Sequence, residues 1–144
     1  MDDLQRTLAE YACLKLVTKY FQNINPLDLD AVMDLFSETG VIIRGGAHPL
    51  KLEGRAAIRA YLDTPHEGFK VYGGLNAIVD VVDETTATGS SQALVIEAGK
   101  TEADGAPPGR LLRVLWYRDV YEKGAAGWRI ARREVGRLMD NSGV

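Results

Sequence analysis

The chain has 144 residues, 46% hydrophobic and 26% charged, which is the profile of one globular domain and not that of a disordered chain. Seventeen basic against twenty acidic side chains leave a formal charge of −3, and no stretch gathers Lys and Arg among aromatics, so nucleic acid is not expected as a partner. Cys13 is the only cysteine, which rules out an internal disulfide and a cysteine-based metal site and points to a reducing compartment.

The acidic start Met1-Asp2-Asp3-Leu4-Gln5 is unlike a signal peptide, and no apolar run reaches membrane-spanning length, so a cytoplasmic protein without membrane contact is expected. From Cys13, the residues Leu16, Val17, Tyr20, Phe21 and Ile24 recur at three- and four-residue steps and predict a first helix packed on that stripe. Asn25-Pro26 then reads as the N-cap and first residue of a second helix, with Leu29, Val32, Met33 and Phe36 continuing its period. Val41-Ile42-Ile43 reads as a short strand broken by Gly45-Gly46, with Lys51-Leu52-Glu53 returning as its partner, and Gly54 opens a third helix to about Leu62.

After a loop over Thr64 to Gly68, β-branched residues predict strands over Ala77 to Val82 and Ala87 to Glu97, joined by a turn at Asp83-Glu84-Thr85. Lys100 to Gly109, with two glycines and two prolines, reads as a flexible hairpin tip. Arg110 to Tyr121 and Trp128 to Val135 are the last two strands, with Glu122 to Gly127 as their turn. Helices before antiparallel hairpins predict an α+β domain with helices on one face of a sheet. No dinucleotide or phosphate-loop pattern follows a predicted strand.

The segment Tyr20-Phe21-Gln22-Asn23-Ile24-Asn25-Pro26-Leu27-Asp28-Leu29-Asp30, then Leu35-Phe36, then Gly54-Arg55-Ala56-Ala57-Ile58, resembles the front half of SnoaL-like proteins. Tyr117-Arg118-Asp119-Val120-Tyr121, Gly127-Trp128-Arg129-Ile130-Ala131 and Arg133 resemble the closing hairpin of that superfamily. The superfamily shares one cone with nuclear transport factor 2, ketosteroid isomerase, scytalone dehydratase, limonene epoxide hydrolase and polyketide cyclases. The resemblance implies a single domain over residues 1–144: a curved, mostly antiparallel sheet, three N-terminal helices closing one side, a pocket for a small hydrophobic substrate, and a homodimer formed through the outer sheet face. It implies an oxyanion donor at Tyr20, as in ketosteroid isomerase-like members. The general base of that group falls near Arg44 or Gly45 and its second acid near Tyr117, so both carboxylates are replaced. The acid and base of scytalone dehydratase-like members fall at Asn25 and Tyr72, which are again different groups.

Several residues carry candidate chemistry. Tyr20 can donate from a phenol that stays protonated at neutral pH, or can be a core aromatic. Strand alternation puts Arg113, Leu115, Tyr117 and Asp119 on one face and Val114, Trp116, Arg118 and Val120 on the other; an inward Arg44 or Arg113 would stabilise an enolate, phenolate or carboxylate. His48 and His66 are the side chains suited to proton transfer near neutrality, His48 at the expected cone mouth and His66 in a surface loop. Glu97 and Asp80 would be bases if buried. Asn25 and Asn76 can fix a substrate carbonyl, or serve as helix cap and strand-edge residue. No His, Cys, Asp or Glu grouping has metal-ligand spacing and no cofactor is expected. The first function hypothesis is an acid–base lyase or isomerase of an aromatic or polycyclic hydroxy- or oxo-compound; the others are a non-catalytic binding or assembly domain and an epoxide hydrolase-like enzyme.

Overall fold

The computed structural model describes residues 1–64, 69–99 and 105–143. Helix α1 (Asp3–Ile24) starts at a capping box: Asp2 accepts from the Gln5 N–H while the Gln5 side chain accepts from the Asp2 N–H. Its buried residues Ala9, Cys13, Leu16, Val17, Tyr20 and Phe21 form one stripe, laid across strands β3 (Phe69–Val81) and β6 (Gly127–Asp140). Helix α2 (Leu29–Met33) is capped by the Asp28 carboxylate, which accepts from the Ala31 N–H at 3.1 Å.

Strand β1 (Phe36–Arg44) pairs antiparallel with β2 (Leu50–Glu53), and α3 (Arg55–Leu62) follows from Gly54, whose φ of 86° suits glycine. Arg55 ties α3 to the sheet by donating from Nε and Nη2 to the Phe36 carbonyl at 2.9 and 2.6 Å. Strands β3, β4 (Thr86–Ala98), β5 (Gly109–Gly124) and β6 form an antiparallel meander. Strand β6 then pairs in parallel with β1, which gives an open sheet of order β2-β1-β6-β5-β4-β3. The result is the expected α+β cone, with helices on the concave side of a mostly antiparallel sheet. Phe36, Val32, Ile58, Ile130, Val95 and Cys13 are wholly buried between the layers, each apolar side chain contributing about 1.5–3 kcal/mol by leaving water.

Five local expectations are corrected. Asn25 does not cap the second helix: it is the extended C-cap of α1, joined to Pro26 by a cis bond, and Asp28 takes the capping role. Phe36 belongs to β1, because its backbone pairs with Ile130 in β6. The helices do not all precede the sheet, since the β1–β2 hairpin lies between α2 and α3. Strand β3 begins at Phe69, eight residues before the expected Ala77, held by its ladder from Phe69 opposite Ala98 to Val81 opposite Ala87. The β5–β6 turn is also tighter than expected, since pairing continues to Gly124 opposite Gly127. Most of the expected loop at Thr64 to Gly68, including His66, and Lys100 to Asp104 of the expected hairpin tip lie outside the described residues.

Candidate active site

The cone encloses a cavity of about 640 Å³, within the usual range for small-molecule sites. Its floor is built by α1 and the middle of β5 and β6. Tyr20, on the last turns of the α1 stripe, is 8% exposed, and Tyr117, pointing inward from β5, is 4% exposed. Their ring centroids are 6.5 Å apart at an interplanar angle of 64°. Arg133 of β6 is 1% exposed, and its guanidinium lies 4.4 Å from the Tyr20 ring centroid and 4.7 Å from that of Tyr117. Behind it, Asp119 of β5 accepts from Arg133 Nε at 2.8 Å and Nη2 at 2.9 Å, and from the Tyr121 hydroxyl at 3.0 Å.

This fork-to-fork pair fixes the guanidinium plane. It leaves Arg133 Nη1 buried without a partner among the described residues, on a side chain that lines the cavity. A buried N–H of a cation with no acceptor is costly, and an oxygen that reached it would relieve that cost. Burial alone would favour a neutral Arg133, but the adjacent Asp119 carboxylate outweighs it and holds the side chain charged. Burial also raises the phenols of Tyr20, Tyr72 and, most strongly, Tyr117 above the ordinary tyrosine value. They therefore meet a ligand as O–H donors.

Arg44, His48, Leu50, Tyr61, Leu62, Lys70, Tyr72, Arg113 and Arg137 contribute to the upper wall. Arg44 donates from Nε to the His48 carbonyl at 2.9 Å and from Nη1 to the Tyr61 hydroxyl at 3.3 Å, so the β1–β2 connection carrying His48 is tied to the rim. Arg113 and Arg137 share the carboxylate of Asp140, at 3.3 and 2.7 Å.

Of the residues singled out in the sequence, Tyr20, Asn25, Arg44, His48, Tyr72, Arg113 and Tyr117 all line this cavity. Asn76 and Glu97 do not. Asn76 sits exposed at the β3 bulge with φ 51° and donates to Gln92 Oε1 at 2.8 Å. Glu97 faces Arg110 at 3.2 Å, and Asp80 is exposed. Among the described residues no cluster of three or more His, Cys, Asp or Glu side chains is gathered.

Arg133 and Asp119 are the functional candidates that sequence reading left without a role. Trp128 and Ile130 face inward, so strict alternation would turn Arg132 to the core and Arg133 to water. A register shift intervenes: Tyr121 pairs with Ile130 and Val120 with Arg132, so Ala131 is an extra residue and Arg133 turns in. The available signal was Asp119, an acid in step with Leu115 and Tyr117, which needs a buried cation opposite.

The comparisons with known proteins agree on the scaffold. An NTF2-like protein with a cystatin-like fold from Novosphingobium aromaticivorans superposes with a TM-score of 0.77 at 25% identity, over 99% of this chain and 95% of that one. A Mycobacterium tuberculosis protein of unknown function gives 0.77 at 26% identity, over 99% and 79%. A second N. aromaticivorans protein, provisionally described as a scytalone dehydratase, gives 0.69 at 23% identity over 87% and 80%, a likeness of fold alone. No curated protein matches the sequence. The SnoaL-like domain family matches residues 5–134, and the chain, with its cone and cavity, belongs to that family.

Proposed function

We propose that the protein is an acid–base enzyme of the lyase or isomerase class, acting on a small aromatic or polycyclic hydroxy- or oxo-compound. The observation that carries this reading is the floor: two protonated phenols packed on a guanidinium held by Asp119, with Arg133 Nη1 unpartnered. Such a floor receives an oxygen that gains negative charge. For a β-hydroxy ketone, His48, exposed at the rim, takes the proton α to the carbonyl through an intervening water, and the electron pair moves onto the oxygen held by Tyr20, Tyr117 and Arg133. The pair then returns, the β C–O bond breaks, and His48 gives its proton to the leaving hydroxyl, which departs as water. Double-bond migration uses the same groups, with the proton returned to the γ carbon.

A second reading is a non-catalytic holder of such compounds. It is favoured by one fact: no Asp or Glu lines the cavity among the described residues, so a base must come from His48 and not from a carboxylate. The same fact weighs against an epoxide hydrolase-like reaction, which needs carboxylates around a water.

The test is a panel of aromatic and polycyclic hydroxy-ketones, incubated with the protein and followed for water loss or double-bond migration. The reading expects turnover of at least one compound, reduced about a hundredfold in Tyr117→Phe with binding retained. Binding without any product would establish the holder instead.

A further inference from the structure

Charge around the cavity is unbalanced. Five cations line it, Arg44, Lys70, Arg113, Arg133 and Arg137, and no carboxylate does so among the described residues. Two carboxylates stand behind the wall: Asp119 serves Arg133, and Asp140 is shared by Arg113 and Arg137. Arg44 has no carboxylate partner among the described residues, and the carboxylate opposite Lys70 in the β3–β4 ladder, Glu97, is taken by Arg110 at 3.2 Å. Arg44 is nevertheless fixed, through the His48 carbonyl and the Tyr61 hydroxyl, with its Nη2 left over. Both side chains are half-buried at the cavity wall, where closing a ligand over them removes water from unneutralised charge.

The strand ladders put three of these cations, Lys70, Arg113 and Arg137, towards the same end. Along β5 and β6, Tyr117 lies opposite Val135, Leu115 opposite Arg137, and Arg113 opposite Asp140. Across the meander, Arg113 lies opposite Val95 and Val95 opposite Tyr72, two residues from Lys70. The rim therefore carries Lys70, Arg113 and Arg137 beyond the tyrosine floor, while Arg44, opposite Val135 on β1, reaches towards it through the Tyr61 hydroxyl of α3. Between rim and floor the wall is apolar: Ile42, Leu50, Leu62, Leu115 and Val135.

We infer that the ligand is an organic anion, a flat hydrophobic body carrying a carboxylate that Arg44 and Lys70 hold at the rim while its far end meets Tyr20, Tyr117 and Arg133. The inference rests on the reading of the cavity as a substrate pocket and adds the charge of what enters. A ligand carboxylate supplies the counter-ion that Arg44 lacks and that Lys70 could otherwise only share with Arg110 through Glu97, and planar guanidinium recognition suits its two oxygens.

Calorimetric titration with naphthoate and with naphthamide, which has nearly the same shape but no charge, tests this. The carboxylate should bind about tenfold tighter or better, with an affinity that falls as salt is raised. In Arg44→Gln and Lys70→Gln, whose melting temperatures should stay near the wild type, the preference should shrink while amide affinity is retained. Equal affinities, no binding by either compound to the solubility limit, or a preference that survives both substitutions would overturn the inference. Carboxylate preference without turnover of any compound would sink the enzyme reading and leave this one standing.

Discussion

Replacing Asp119 by leucine should produce the largest single-residue loss of stability in the site. The Asp119 and Arg133 side chains are each 1% exposed and joined by contacts of 2.8 and 2.9 Å. Removing the acid strands in the core a guanidinium whose Nη1 already lacks a partner among the described residues. Breaking a buried pair from one side costs about 3–5 kcal/mol, and the orphaned Tyr121 hydroxyl adds about 1 kcal/mol. With a urea slope of about 2 kcal/mol/M, the unfolding midpoint should fall by about 2 M. The double variant Asp119→Leu with Arg133→Met, which removes both charges, should recover most of that loss, because an apolar replacement of a buried pair is often neutral. Urea unfolding followed by tryptophan fluorescence measures all three proteins. A loss under about 1 kcal/mol in the single variant, or a double variant no more stable than the single one, would refute the reasoning.

Three further outcomes follow from other parts of the fold. Gly136→Ala should lower stability by about 1–3 kcal/mol and shift tryptophan emission, since a methyl there collides with the Trp116 indole. Burial pushes the Cys13 thiol up to about 12, leaving about one part in ten thousand as thiolate at pH 8; alkylation by iodoacetamide should be negligible in the native protein and rapid in urea. Hydrogen bonds from Ser142, reinforced by Arg113 and Arg137, lower the Asp140 carboxyl from 3.8 to about 2. A depressed folded value stabilises above the unfolded one and is lost as pH falls through the folded one. Asp140→Asn should therefore be less stable than the wild type at neutral pH, and the difference should close between about pH 4 and 2 in acid unfolding.

The sequence carried the fold further than the site. The α1 stripe from Cys13 to Phe21 is legible because all its members point to one core. The stretch from Phe69 to Asn76 was not: Gly73, Gly74 and Asn76 have low strand propensity, and pairing with β4 overrides it. Gly74 is needed there because Phe21 packs against its backbone. Asn25-Pro26 has the composition of a helix start, yet the neighbouring Asp28 takes that role, a choice between two capping residues that local chemistry leaves open. Tyr20 and Tyr117 were singled out by their places in the SnoaL-like resemblance, and the α1 stripe and the β5 alternation then turn both inward. Arg133 was not, because one extra residue at Ala131 reverses the alternation, and nothing in the order of side chains marks a bulge. Asn76 and Glu97 stand as lessons of the opposite kind: polar residues in apolar strands, one at a bulge and the other beside Arg110.

The central claim, that the cavity floor stabilises negative charge on a ligand oxygen, is tested most directly by proton exchange. A bound aromatic ketone incubated in heavy water should exchange its α-hydrogens, followed by NMR, faster with the wild type than with buffer and about a hundredfold slower with Tyr117→Phe than with the wild type. Exchange at the buffer rate in the presence of demonstrated binding, or equal exchange by the two proteins, would contradict it.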